Sequence, residues 1–201
     1  MSPTDIFEVS RCNRRNLPEN YQFVFLLYVV LISPGACFVA ETGAGALVGY
    51  SIGKPKNELE DSNAEESADK EVCAESLPTG YLISIAVDKP YRGNGVGKLL
   101  MSATIHGLCV LLGKKAAKEL REPQTALETK NLPDASPATD QNTASRRVRI
   151  YLNVRESNTS AIEMYKGVFR FQEILVEKEY YSNKEDALLM GRVFQIWQAE
   201  G

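Results

Sequence analysis

The spacing of apolar positions divides the chain into short elements of alternating kind. Asp5 to Asn16 places Ile6, Val9 and Cys12 on one side of a helix, with Thr4 or Asp5 as its cap. Leu17-Pro18-Glu19-Asn20-Tyr21 ends it, because proline keeps Leu17 out of the helical region. Phe23 to Ile32 is then apolar at all ten positions, so the segment is either buried on every side or docked to another protein. Ala36 to Glu41 and Ala46 to Ile52 read as a hairpin around Thr42-Gly43-Ala44-Gly45. Tyr81 to Val87 has the β-branched bias of a buried strand. Beyond Gly97, Leu99, Leu100, Ala103 and Leu108 recur at helical spacing, and the helix extends to about Leu120. Val148 to Val154 alternates as a strand, and Ser157 or Asn158 caps a helix carrying Ala161, Ile162, Met164 and Tyr165. Phe169 to Glu179 and Ala187 to Phe194 close the chain as strands around a turn at Tyr180 to Lys184.

Two stretches lack a pattern. Residues 54–79 and 116–147 are rich in Ser, Asn, Pro and charge, and read as flexible insertions. The remainder forms one mixed α/β (α+β) domain, and 201 residues at 44% hydrophobic content suffice for a full core. Charge sharpens this division. Residues 57–75 carry eight acids against one lysine, so the rest holds 22 basic and 18 acidic residues and is mildly basic. That suits a polyphosphate ligand and falls short of a nucleic-acid footprint.

Four cysteines without a Cys-x-x-Cys pair support neither a disulfide framework nor a metal site. With His106 as the only histidine, a Ser–His or Cys–His nucleophile has no support. The start of the chain lacks the basic and apolar character of a signal peptide, and the ten-residue apolar run is shorter than the roughly 20 residues a membrane span needs. The expected location is the cytoplasm.

The candidate chemistry begins where the strand at 81–87 meets its helix. Arg92-Gly93-Asn94-Gly95-Val96-Gly97 is a glycine-rich turn whose backbone N–H groups, with those of the helix start, can surround an anion. Neither a Walker loop nor a dinucleotide fingerprint fits its spacing. The written form, Arg-x-x-Gly-x-Gly after a strand ending Val-Asp, resembles the acetyl-CoA pyrophosphate loop of the GNAT acetyltransferases.

Further motifs occur in one order with it: Leu17-Pro18-Glu19-Asn20-Tyr21, Ile83-Ser84-Ile85-Ala86-Val87, Tyr151-Leu152-x-Val154-Arg155-x-Ser157-Asn158-x-x-Ala161-Ile162-x-x-Tyr165 and Tyr180-Tyr181-x-x-x-Glu185-Asp186-Ala187. Together they resemble the N-terminal protein acetyltransferases, most closely the NatA catalytic type and its archaeal relatives. The resemblance implies a GNAT fold with splayed central strands, acetyl-CoA as donor without a metal, and a protein α-amino group as acceptor. It also implies a helical-repeat auxiliary subunit contacting 22–32, which brings the enzyme to the ribosome; no direct nucleic-acid or membrane contact is implied.

Residue roles follow from the same resemblance. Arg92, Gly93, Asn94, Gly95, Val96 and Gly97 would hold the pyrophosphate, while Ile85, Ala86 and Val87 offer backbone to the pantetheine and thioester. Asn158 would bind the cofactor, although its place also fits a plain N-cap. Tyr165 lies two turns beyond Asn158 and would protonate the departing thiolate, where spacing alone also fits a core aromatic. Leu17, Pro18, Glu19, Tyr21, Tyr180 and Tyr181 would form the peptide slot. Glu19 is the candidate base with Tyr81 as helper, a modest task because an α-amine has a pKa of about 8 against about 10.4 for lysine. Several family members carry histidine where this chain has Asn153, which cannot act as a base. Two other readings remain: an acetyltransferase for lysine side chains or initiator-Met peptides, and an inactive CoA-binding assembly subunit. The first strand usual in the family is absent or reduced to Ser2-Pro3.

Overall fold

A computed structural model describes residues 1–56, 77–119 and 146–196. Six strands form one sheet: β1 (Cys37–Glu41), β2 (Leu47–Pro55), β3 (Thr79–Val87), β4 (Arg146–Arg155), β5 (Gln172–Glu177) and β6 (Ala187–Ile196), in the order β1-β2-β3-β4-β6-β5. Every neighbouring pair is antiparallel except β3 and β4, which run parallel. Helices α1 (Ile6–Asn16) and α2 (Phe23–Ile32) cover one face. The other face carries α3 (Val96–Glu119), α4 (Thr159–Glu163) and a π turn, Met164–Val168. The expected mixed α/β domain stands. Both insertions lie outside the described residues except at their ends, which β2, β3, α3 and β4 occupy.

Each face has its own core. Met101, Leu108 and Leu112 of α3 pack on Leu82, Ile150 and Leu152, and Tyr165, Phe169 and Phe171 complete that layer. Ile6, Val9 and Cys12 of α1 with Leu26, Val29 and Val30 of α2 pack on Tyr50, Ile52 and Ala86. A buried chain of hydrogen bonds ties α1 across two strands: Asn13 donates to the Tyr50 hydroxyl at 2.7 Å, which pairs with Ser84 at 2.7 Å. The uniformly apolar segment 22–32 is buried on one side only. Val24 and Leu31 remain 72% and 61% exposed, so of the two readings offered by its sequence, burial on every side does not hold.

Local chemistry explains several element ends. Leu17 is extended (φ −120°, ψ 138°), as a residue before proline must be, and this turns the chain out of α1 toward the sheet. Arg170 and Glu179 adopt positive φ (55° and 52°) on either side of β5, which trims the strand expected over 169–179 to Gln172–Glu177. The helix expected after Asn158 is split. It makes one turn of α-helix and then widens to the π turn that contains Tyr165. No strand precedes β1 among the described residues; Pro3–Asp5 form a short 3-10 turn instead.

Two irregularities open the middle of the sheet. Ile83 is an extra residue in β3, since Ser84 pairs with Ile52 and Leu82 with Gly53. Pairing between β3 and β4 stops at Leu82 and Leu152. Beyond that point the two central strands part.

Candidate active site

Where β3 and β4 separate, a cleft of about 470 Å³ passes through the sheet. Its walls include Asn16 at the end of α1, Leu17 to Glu19 and Tyr21 from the α1–α2 loop, Tyr81 to Ile85 of β3, Leu152 to Arg155 of β4, Asn158, Tyr165, Tyr180 and Tyr181. Alternation along β4 points Leu152 and Val154 at the α3 core and leaves Asn153 and Arg155 on the α1–α2 face. One mouth therefore opens on the α3–α4 face and the other on the α1–α2 face.

The strand edge lining the passage has backbone groups to offer. Asp88 N–H donates to Val48 O at 2.8 Å, back toward β2. The two-residue alternation then aims the N–H groups of Ile85 and Val87 at the gap. On the other side of the bulge, Ile83 O accepts a hydrogen bond from the Tyr21 hydroxyl at 3.0 Å, which fixes the α1–α2 loop over the cleft.

The loop from Arg92 to Gly97 lies at the end of β3, beside the cleft rather than in its wall. Gly93 and Gly95 have φ of 78° and 83°, and a Cβ on either would meet no atom within 4 Å. The space beside both glycines is thus open, and the first-turn N–H groups of α3 lack intrahelical partners. That is a cradle an anion fits. Arg92 itself does not reach over it. Its Nε donates to Val87 O and its Nη2 to Asn16 Oδ1, both at 2.8 Å, so its charge is turned back on the strand end.

The opposite mouth is built from side chains. Arg155, nearly buried, pairs with Glu19 and Glu185, donates to Asn183 Oδ1 at 3.1 Å and lies 4.0 Å beneath the centre of the Tyr181 ring. Glu185 also accepts from the N–H and hydroxyl of Ser157. The Ser157 hydroxyl bond, with that from Arg155, holds the Glu185 carboxyl down at about 2. Tyr180 stands edge-on to Tyr181 with centroids 5.0 Å apart. Burial raises the Tyr21 and Tyr165 hydroxyls to about 12 and Tyr181 further still, so all three are protonated donors at neutral pH.

Residues 5–110 match the acetyltransferase (GNAT) family model. The chain belongs to this family. An N-alpha-acetyltransferase of Sulfurisphaera tokodaii is 32% identical over 93% of this chain and 86% of that relative, so the membership extends to the N-alpha-acetyltransferases. The "N-terminal acetyltransferase A complex catalytic subunit ard1" of Schizosaccharomyces pombe is 27% identical over 95% of this chain and 81% of that relative. Among solved structures, Arabidopsis thaliana Naa50 in complex with the bisubstrate analogue CoA-Ac-MVNAL shares the fold. Its TM-score is 0.61 at 18% identity, over 96% of this chain and 95% of that one.

Within this GNAT domain the residues expected in a site fall into two groups. Leu17, Pro18, Glu19, Tyr21, Tyr81, Ile85, Asn158, Tyr165, Tyr180 and Tyr181 line the cleft together. Ala86, Val87 and Arg92 to Gly97 do not line it; they form the adjoining strand end and loop. Asn158 is an N-cap, accepting from Ala161 N–H at 3.3 Å, while also facing the cleft, so its two readings coexist. Glu19 lines the cleft in an ion pair. Its Oε1 is buried with the Arg155 guanidinium as partner, and taking up a proton would break that ion pair. Asn153 likewise donates to Glu177.

Arg155, Glu185 and Asn16 were not expected in the site. Arg155 and Glu185 do stand inside the sequence motifs that carry the resemblance, one residue before an x and three after another. An arginine on an alternating strand gives no sign that it turns inward to two carboxylates. Asn16 gave no signal at all.

Proposed function

We propose that the chain transfers acetyl directly from acetyl-CoA to the α-amino group of protein N-termini, as the catalytic subunit of a NatA-type complex. The observation that carries this reading is the passage through the sheet. It joins a backbone-lined donor side to an acceptor slot roofed by the α1–α2 loop and the Tyr180–Tyr181 loop, so an extended chain can present only its end to the gap.

The donor fits the residues at hand. The open loop at Arg92 to Gly97 and the first turn of α3 would hold the pyrophosphate, with Asn158 and the Ile85 and Val87 backbone along the pantetheine. Acetyl-CoA supplies an activated acyl group. Against it, the Ile85 and Val87 N–H groups stabilise charge developing on the carbonyl oxygen. Tyr165, protonated and buried on the same side, donates its hydroxyl proton to the departing sulfur.

On the acceptor side, Tyr180, Tyr181 and Leu17 enclose the first residues of the incoming chain. Glu19 acts by holding Arg155 beneath Tyr181, and the α-amine loses its proton through water ordered by Tyr81, an easy step for an amine of pKa about 8. Glu19→Gln separates this role from that of a base. An anchoring Glu19 raises the peptide KM about 5-fold and leaves kcat within about 2-fold, whereas loss of a base lowers kcat about 100-fold.

The exposed side of α2, with Val24, Tyr28, Leu31 and Ile32, supports docking on a helical-repeat auxiliary subunit that brings the enzyme to the ribosome in the cytoplasm. The S. pombe relative's description as the catalytic subunit of a complex supports the same reading. The decisive experiment is acetylation of a peptide panel with and without that subunit. Peptides starting with Ser or Ala are expected to be acetylated, with peptides starting Met-Leu, and N-blocked lysine peptides, slower by an order of magnitude. Equal turnover of the lysine peptides, or none of any, overturns the reading.

A further inference from the structure

Strand β3 changes face in its middle. Leu82 belongs to the core under α3, and strict alternation would send Ser84 to the same side. The extra residue at Ile83 reverses this. Ser84 instead meets the hydroxyl of Tyr50, whose ring belongs to the core under α1 and α2. The bulge thus sets a hydroxyl on the acceptor face of the cleft, which Ser84 lines. The next residue is Ile85, whose N–H is aimed at the gap. An amine entering from the acceptor face therefore passes Ser84 as it closes on a carbonyl held at Ile85.

Donors and acceptors can be counted along the side chains behind Ser84. Asn13 Nδ2 donates to the Tyr50 hydroxyl at 2.7 Å, and Asn13 Oδ1 is buried without a partner. The reverse orientation of that amide would leave both its N–H bonds where no acceptor stands, a worse outcome than an unpaired carbonyl. Tyr50 is fully buried, which pushes its hydroxyl up to about 12 and keeps it protonated. Among the described residues its hydrogen has only Ser84 Oγ to go to, at 2.7 Å. Ser84 then keeps a hydrogen and a lone pair that no described side chain takes up.

We propose that Ser84 reads the α-aminoacyl end of the acceptor: its oxygen accepts an N–H of the amine and its hydrogen goes to the first carbonyl oxygen. This rests on the reading of the cleft as a site of acetyl transfer to N-termini, and adds a reason why lysine is disfavoured. The amine and the first carbonyl of a peptide stand on adjacent carbons, so one hydroxyl spans both. A lysine ε-amine has no carbonyl on the adjacent carbon. The other N–H of the amine is left for water, and its lone pair for the acetyl carbon. Ser84 keeps its own proton throughout. The bond it accepts strengthens as positive charge builds on the attacking nitrogen.

The test uses the full chain, acetyl-CoA and two decapeptides beginning with alanine. They differ only in the first peptide bond, an amide in one and a thioamide in the other, whose sulfur is a weak acceptor. The natural chain is expected to acetylate the thioamide with a kcat/KM about 10-fold lower, the scale of one well-formed hydrogen bond. Ser84→Ala is expected to lower kcat/KM for the amide about 10-fold and to bring the two peptides within about 2-fold of each other. A hydroxyl that served only to satisfy Tyr50 would slow both peptides alike and leave their ratio unchanged. Any effect of the sulfur on the amine itself is common to both enzymes and cancels.

A ratio that persists in S84A, or is absent from the natural chain, overturns the proposal. A natural chain that acetylates neither peptide overturns the transfer reading itself, which is a separate result. S84A leaves the Tyr50 hydrogen buried and unpaired. Should it not fold, Ser84→Cys carries the same comparison, because its sulfur still accepts from Tyr50 while its S–H is a weak donor. Peptide rates within about 2-fold of each other in S84C support the proposal, and the natural ratio retained there overturns it.

Discussion

The loop at Arg92 to Gly97 lies beside the passage and the slot around Arg155 at one mouth of it, and one presents backbone where the other presents side chains. In the loop, two glycines at positive φ have open space where a side chain would stand, and the one arginine is folded back on the strand. In the slot, Arg155 gathers Glu19, Glu185, Asn183 and Tyr181 from segments far apart in the chain. On the proposed roles, a phosphate looks the same whatever protein is being modified, so fixed backbone would serve it. A peptide must be admitted end-first and held for one reaction, and a side-chain network sets that geometry while leaving room for different sequences.

Tyr165 is where the contrast can be broken most sharply, because it is a side chain on the donor half. If its hydroxyl is the proton donor, Tyr165→Phe lowers kcat about 100-fold or more while both KM values hold. Burial keeps the hydroxyl protonated up to about 12, so this tyrosine adds no limb to the kcat profile between pH 6 and 10. A limb near pH 9 that disappears in the variant would show the phenol titrating in the working range and would refute the assignment.

Arg155→Ala tests the slot. The guanidinium is nearly buried, and removing it leaves two carboxylates facing each other without a cation. The peptide kcat/KM is expected to fall about 100-fold, mostly through KM, equivalent to about 2.7 kcal/mol. CoA affinity measured alone should stay within about 2-fold, since no donor-loop residue touches Arg155. Arg155→Lys is expected to rescue little, because an ammonium cannot present the fork that serves two acids and a ring at once.

Gly95→Val is the mirror experiment. At φ 83° a β-branched residue is strained even though the space around it is empty, and straightening the loop turns its N–H groups away. The expected loss is about 10-fold or more in CoA affinity, with peptide binding in the absence of CoA unchanged. Equal losses on both sides would mean that the loop supports the whole domain rather than the donor alone.

The same contrast explains what could be read from the sequence. The glycine loop, the strand before it and the helix after it are contiguous, so spacing alone offered a candidate anion loop there. Leu17 to Tyr21 and Tyr180-Tyr181 carry no periodicity that points at a substrate; only their likeness to a known family placed them. The ion pair of Glu19 depends on Arg155, 136 positions later, and no local rule connects the two. The apolar run at 22–32 had two readings because composition gives hydrophobicity but not which side the sheet covers. The π turn at 164–168 was invisible because five residues are too few to show a change of period.

The smallest effect concerns the acid stability of the slot. Glu185 titrates at about 2 in the folded chain, against 4.5 ordinarily, because Ser157 and Arg155 hydrogen-bond its charged form. Both folded and unfolded chains carry it ionised above pH 4.5, so its contribution to stability is complete there. Below 4.5 the unfolded chain takes up a proton that the folded chain refuses, and the contribution fades as the pH falls toward 2. Glu185→Gln removes a group that is exposed in part, so the stability difference from the natural chain is small. That difference should be constant from pH 8 to 5 and shrink between 4.5 and 2 when denaturant midpoints are followed across the range. A difference that grew on acidification would mean that Glu185 is protonated more easily when folded, and that Arg155 does not hold its charge in the slot.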